Sequence, residues 1–180
     1  MTDLVPKLIE HLFAEPEWNV FAVLDGASVP DLLPKLAKHK PEHVCLYRGE
    51  LKPDLAECAP YLVRLEQNGE FTNWVLTEGW GMHWGIFAVS PANLTALRKH
   101  FRTFLMVKTP EGKQVYFRYY DPRVLRVYLP TCDAEETKTV FWLVKSYLCE
   151  DEKPESLLSF GTEDGLPRRE RIQLAVPVEP

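Results

Sequence analysis

A chain of 180 residues, 46% hydrophobic and 12% aromatic, is long enough to bury a core and fits one domain. Its 21 basic and 26 acidic residues are interspersed and give a net charge of −5, so no overall positive field attracts nucleic acid. No run of about 18 apolar residues exists, and Met1 to Phe13 lacks the pattern of a signal peptide. We therefore expect a cytoplasmic protein that does not insert into a membrane.

The first part of the chain alternates apolar runs with turn signals. An apolar stripe at helical spacing predicts an amphipathic helix over Thr2 to Ala14. The β-favouring run Val20 to Leu24 ends at the turn pair Asp25-Gly26, and Ser28 to Asp31 has the spacing of a capping box before a second helix. Two further extended runs, Val44 to Tyr47 and Pro60 to Leu65, flank a polar stretch. The order strand, helix, strand favours a parallel pair.

The middle of the chain carries clear start signals for helices. A short helix is predicted from about Glu70 to Thr77, followed by a segment with three glycines and two tryptophans and by the strand Ile86 to Val89. Ser90-Pro91 and Asp121-Pro122 each place a capping side chain before a proline, and Asp133 to Glu136 has the spacing of a capping box. Between these helices, Leu105 to Lys108 and Gln114 to Tyr119 predict a β-hairpin.

The last part predicts strands at about Phe141 to Leu148 and Ser156 to Phe160. We interpret the chain as one α/β domain over residues 1–160, a mixed β-sheet flanked by helices, with an α+β arrangement as the alternative. Residues 161–180 form a C-terminal tail that is either mobile or an added edge strand. Its basic cluster, Arg168, Arg169 and Arg171, is either a solvated tail or a docking surface for an acidic partner.

The sequence carries no motif that identifies an enzyme. Phosphate-binding glycine loops, the nucleophile elbow and the zinc-protease helix are all absent. Four cysteines are irregularly spaced and are interpreted as buried reduced thiols, so we expect no metal and no cofactor: Cys45, Cys58, Cys132 and Cys149. His83, between two tryptophans, and Asp25, at a strand end, are the best single candidates for chemistry. Packing for His83 and a normal Asp-Gly turn for Asp25 are the competing interpretations.

The densest cluster of aromatic and charged residues is Phe117 to Leu125. In a structural interpretation, Asp121 caps a helix, one arginine pairs with a buried carboxylate such as Asp25, and the rings fill the core. In a functional interpretation, the same arginines and rings form a hot spot for a protein partner. The sequence leaves both interpretations open.

Six ordered blocks of the sequence resemble one bacterial family, the "domain of unknown function 4123", whose members are adaptor chaperones for type VI secretion effectors. The likeness covers roughly residues 20 to 160. The last block contains the most specific stretch, Phe117 to Leu125, and continues with Tyr128 to Pro130. The other five are Leu24 to Ala27, Cys45 to Tyr47, Ala59 to Leu65, Gly79 to Gly85 and Leu97 to Arg102.

This resemblance implies an adaptor without catalytic residues, which binds a secreted effector and helps to load it onto the spike protein VgrG. The residues we expect to contact a partner are Trp80, Trp84, Arg118, Tyr119, Tyr120 and Arg123. The motif residues to which we assign a structural role are Asp25, Gly26, Pro60, Tyr61, Gly79, Gly81, Asp121 and Pro122.

Two rival functions stay open. A small hydrolase or transferase would use Asp25, His83 and Asp121. An immunity protein would instead block the active site of an effector, and the sequence does not distinguish these two kinds of tight binding.

Overall fold

The structure, a computed structural model, describes residues 4–175. Its α-helices are α1 (Val5–Leu12), α2 (Leu32–His39), α3 (Pro53–Glu57), α4 (Glu70–Gly79), α5 (Leu94–Arg102), α6 (Pro122–Tyr128) and α7 (Ala134–Val140), with a short 3-10 helix at Leu129–Thr131. Its strands are β1 (Asn19–Asp25), β2 (His43–Cys45), β3 (Pro60–Leu65), β4 (Gly85–Ser90), β5 (Met106–Lys108), β6 (Gln114–Tyr116), β7 (Ser146–Glu150), β8 (Ser156–Glu163) and β9 (Leu166–Gln173). Within residues 4–175 no helix is long and apolar enough to cross a membrane.

Seven strands form one sheet in the order β2-β3-β1-β4-β7-β8-β9, and β5 and β6 form a separate hairpin. The prediction of one domain of mixed helix and sheet is confirmed. The predicted parallel pair is wrong, since every strand pairing of the described sheet is antiparallel, so the sheet is not mixed in direction. The reason is that β3, six residues long and almost wholly buried, takes the place beside β1, while the short β2 is displaced to the edge.

Helices cover both faces of the sheet, so β1 is buried on both sides. Val20, Ala22 and Leu24 face the core under α1, α2 and α4. Phe21 and Val23 face the second core, under α5, α6 and α7. This is why β1 reads as a continuous apolar run and not as an alternating one.

Two of the predicted helix starts are confirmed, and two are wrong. Asp121 caps α6, and Asp133 forms a complete capping box with Glu136 at α7. Ser28 does not cap α2, because its hydroxyl donates to the Asp25 carboxylate at 2.9 Å. Ser90 does not cap α5 either: its hydroxyl bonds to the Leu143 carbonyl, and Asn93 provides the cap three residues later.

The C-terminal segment completes the sheet. Of the two alternatives for the tail, the added edge strand is the one that the structure shows, because β9 pairs along its whole length with β8. The expected boundary at residue 160 falls inside β8, which runs on to Glu163. Residues 176–180, the end of the predicted final segment, lie outside the described residues.

Three local expectations are corrected. The polar stretch after β2 contains a helix, α3, which begins at a proline. The segment Phe141 to Lys145 is a turn, and β7 begins only at Ser146. All four cysteines are free, but Cys58 is exposed and Cys45 is half-buried, so only two thiols are buried. Burial raises the pKa of the Cys149 thiol to about 12.

Because His100 is buried, we expect the free energy of unfolding to fall in weak acid. Its Nε2 lies 3.0 Å from the Val140 carbonyl, so the neutral ring donates there, and burial lowers its pKa. A histidine with a lowered pKa contributes stability above its unfolded pKa of about 6.5, and that contribution is lost as pH falls through the folded value. Urea unfolding at pH 7.5 and 5.5 should therefore show a smaller drop for His100→Gln than for the wild type. An equal drop in the two proteins would contradict this assignment.

Candidate functional site

Three of the buried carboxylates lie at one end of the main sheet. Asp25 ends β1, Glu150 ends β7, and Asp121 is the residue before α6. Their exposed fractions are only 2%, 3% and 5%, respectively. Charged carboxylates are not buried without compensation, so the groups that pair with them define what this site can do.

Asp25 is held by three partners. One carboxylate oxygen accepts from the Ala27 amide at 3.1 Å, and the other accepts from the Ser28 hydroxyl and pairs with the Arg118 guanidinium. The predicted turn at Asp25-Gly26 and the predicted pairing of an arginine with this carboxylate are both confirmed. Burial acts to lower the pKa of Arg118, but the charge of Asp25 and the hydrogen bond to its carboxylate contribute to a net rise.

Asp121 both caps α6 and clamps an arginine. One oxygen accepts from the Arg123 amide and from its Nε, each at 3.0 Å, and the other accepts from its terminal nitrogen at 2.7 Å. Burial alone would raise the pKa of Asp121, but the hydrogen bonds and charge of Arg123 hold it below its usual value. Arg118 lies 3.9 Å from the same carboxylate and links it to Asp25.

Glu150 organises the glycine-rich loop before β4. It accepts from the Gly81 amide at 2.6 Å and from the His83 amide at 3.0 Å, and the same carboxylate contacts Nδ1 of the His83 ring. His83 has a left-handed backbone with a φ of 58°, a conformation that a non-glycine residue adopts only when its surroundings impose it. The Trp80 indole N–H donates to the Pro154 carbonyl at 2.7 Å and fixes the other side of the loop.

Two of the motif glycines allow close packing at this site. A Cβ on Gly79 would lie 2.4 Å from the Trp84 ring, and one on Gly26 would lie 2.4 Å from the Glu57 carbonyl oxygen. Pro60, which pairs with Asp25, and Pro122, at the start of α6, are buried. The remaining motif residue, Tyr61, donates its hydroxyl to the Ala56 carbonyl at 3.0 Å.

The six residues expected to contact a partner divide into two groups. Three are buried in the core, where a partner cannot reach them in this conformation: Trp84, Tyr119 and Tyr120. Tyr119 stacks on Phe101 and donates to its carbonyl at 3.1 Å, which is a packing role. Trp80 is partly exposed, and the side chains of Arg118 and Arg123 are 46% and 52% exposed. For these three the partner-binding role stays a prediction.

The three residues that the enzyme hypothesis names do not all pair within one cluster. Arg118 joins Asp25 to Asp121. His83 instead pairs with Glu150, and in the described part of the chain no hydrogen bond or ion pair joins His83 to either aspartate. Each of the three carboxylates accepts hydrogen bonds from the surrounding amides or side chains. Across residues 4–175 no group of three or more His, Cys, Asp or Glu side chains could hold a metal ion.

Sequence reasoning missed two open grooves with exposed aromatic residues. Trp142, 69% exposed, borders a groove of about 1030 Å³ between α5 and α7. A second groove, described below, lies between α3 and the β5–β6 hairpin. The predicted strand from about Phe141 to Leu148 includes Trp142. In the structure this residue lies in the turn at the end of α7, which exposes it. No signal in the sequence distinguishes a strand residue from an exposed turn residue at this position.

Comparison with known proteins places the chain by family alone. The family model described as "Domain of unknown function (DUF4123)" matches residues 20–139. No curated protein and no solved structure matches the chain. The matched range runs from β1 to α7 and contains Asp25, His83 and Asp121, but it ends before Glu150.

Proposed function

Because this chain belongs to the DUF4123 family, we propose that it is a non-catalytic adaptor that binds a type VI secretion effector in the cytoplasm and helps to load it onto the VgrG spike. The family itself is described as one of unknown function, so the adaptor role comes from the resemblance set out above. The observation that carries the proposal is the long ordered match, which includes the block Phe117 to Leu125.

The geometry of the charged site supports a binding protein over an enzyme. Its carboxylates are occupied by backbone amides and arginines, which brace the loops after β1 and before β4. Several large apolar side chains stay exposed on other surfaces, among them Tyr116, Trp142 and Met82. Exposed aromatic residues beside open grooves are typical of protein interfaces.

Affinity capture from the lysate of the host tests the proposal. We expect the tagged chain to retain a toxin-like protein, with or without a VgrG spike, when bound proteins are identified by mass spectrometry. A charge-reversed but folded variant, Arg123→Glu, is expected to capture less if Arg123 contacts the partner. Two results together would contradict the adaptor and indicate an enzyme. The chain would capture no toxin-like protein while the effector is expressed, and it would show a turnover that is lost in both Asp25→Asn and His83→Ala.

A further inference from the structure

An open apolar groove lies between α3 and the β5–β6 hairpin. We call it the arginine-rimmed groove and define it by Arg48, Leu51, Leu55, Arg102, Met106 and Tyr116. Its volume is about 440 Å³. Single exposed apolar residues are ordinary on a protein surface, but here Leu55, Met106 and Tyr116 are 47%, 41% and 62% exposed around one groove.

The groove is held in shape by Arg102. Its guanidinium donates to the carbonyls of Cys45, Leu46 and Tyr47 at 3.1, 2.9 and 2.7 Å, so the loop after β2 is fixed against α5. The ring of Tyr47 packs against that of Tyr116, with 5.3 Å between the ring centroids, and connects this loop to the hairpin. The hairpin has only two strands and stands outside the main sheet, so it gains stability from anything that covers its apolar side chains.

Two arginines, Arg48 and Arg102, line the groove, and Arg98 lies close to Arg102. Arg98 lies one helical turn before Arg102 on α5, and Arg48 lines the groove from the facing loop. In the part of the chain that the structure describes, no ion pair joins Arg48, Arg98 or Arg102 to a carboxylate. Burial, followed by the charges of Arg98 and Arg48, lowers the pKa of Arg102. The Nε of Arg98 is buried and has no hydrogen-bond partner in the same described part.

A solvated basic face is the simplest explanation for exposed arginines. It does not explain why two arginines line an apolar groove, with a third close to them, in a chain whose net charge is −5. Like charges at such short spacing repel, and a carboxylate brought to them would remove that cost. The complementary ligand therefore has apolar side chains on one face and carboxylates beside them.

We propose that the arginine-rimmed groove binds an acidic amphipathic segment of the effector, with its apolar side chains in the groove and its carboxylates against Arg48, Arg98 and Arg102. This inference rests on the proposed adaptor function. It assigns the recognition of the effector to a surface that none of the predicted partner residues borders.

A pair of synthetic peptides tests the chemistry of the groove. Both are amphipathic helices of about five turns with leucine on one face, and the other face carries glutamate in one peptide and lysine in its match. We expect the full-length chain to bind the glutamate peptide at least about tenfold more tightly, with a dissociation constant that rises with salt. Equal affinity for the two peptides would overturn the proposal.

Matched variants locate the binding. The double variant Arg48→Glu/Arg98→Glu, and separately Tyr116→Ala, should each weaken the glutamate peptide by about tenfold or more. Lys99→Glu, on the same helix as Arg98, and Trp142→Ala are the controls, since both residues line the groove between α5 and α7. Each should leave the affinity for the glutamate peptide within about twofold of the wild type. Loss of binding in the controls but not in the groove variants would overturn the assignment. Circular dichroism confirms that each variant is folded.

The same variants separate this inference from the proposed function. If Arg48→Glu/Arg98→Glu captures the toxin-like protein from lysate as well as the wild type does, the adaptor function stands and the groove assignment fails. If the wild type captures no such protein but retains the glutamate preference at the groove, the groove stands as a binding site and the effector function fails.

Discussion

Replacing Arg118 with alanine is expected to lower the free energy of unfolding by about 2 kcal/mol at neutral pH. In the wild type the Asp25 carboxylate is 2% exposed. The change leaves it with only an amide and a hydroxyl as partners and removes the charge that compensates its burial. Because Arg118 itself is 46% exposed, water replaces part of its contribution, and the effect is smaller than for a fully buried pair. Urea unfolding measures the difference.

A surface pair elsewhere provides the control for Arg118. Arg168 lies 3.7 Å from Glu163, and both side chains are more than half exposed. Arg168→Ala is therefore expected to change stability by less than about 0.5 kcal/mol. Adding Asp25→Asn to Arg118→Ala should restore part of the loss, since a neutral amide needs no counter-charge. A loss in Arg118→Ala no larger than that in Arg168→Ala would contradict the compensating role.

Replacing Gly26 with alanine is expected to cost about 3 kcal/mol of stability or more. The added methyl group would lie 2.4 Å from the Glu57 carbonyl oxygen and 2.5 Å from that of Ala59. Both obstacles are backbone atoms, so neither can rotate away, and the Gly26 amide donates to the Ala59 carbonyl at 3.0 Å at the same junction. Thermal or urea unfolding measures the loss.

Gly161 in β8 is the matched control for Gly26. A Cβ there would meet only the Lys145 carbonyl oxygen, at 3.9 Å, which is an ordinary contact. We expect Gly161→Ala to stay within about 0.5 kcal/mol of the wild type. Similar values for the two variants would show that the turn after β1 relaxes easily, against the close approach described here.

Local signals in the sequence predicted local structure well. The caps at Asp121 and Asp133 depend on side chains and amides only two or three residues apart, so the pattern contains everything that forms them. The capping spacing at Ser28 failed because a nearer acceptor, the Asp25 carboxylate, takes its hydroxyl. The competition between two local bonds is not visible in spacing alone.

Features that depend on distant segments were not predictable in the same way. The choice of β3 over β2 as the neighbour of β1 compares pairings across the chain, and the pattern of strands and helices does not contain that comparison. The structural interpretation expected one arginine of the block Phe117 to Leu125 to pair with a buried carboxylate such as Asp25, and Arg118 is the one that does. Whether Tyr119 is buried or exposed depends on its contact with Phe101 on α5, because aromatic residues suit both a core and an interface.

Delivery of the captured effector tests the adaptor function most directly. Its amount outside the cell is measured in the host, in a strain that lacks this chain, and in that strain complemented with the wild type or with His83→Gln. We predict that the effector stays inside the deletion strain and that both complementing proteins restore its secretion, because no catalytic histidine is needed. Unchanged secretion after deletion, with death of the strain from its own toxin, would contradict the adaptor and indicate an immunity protein.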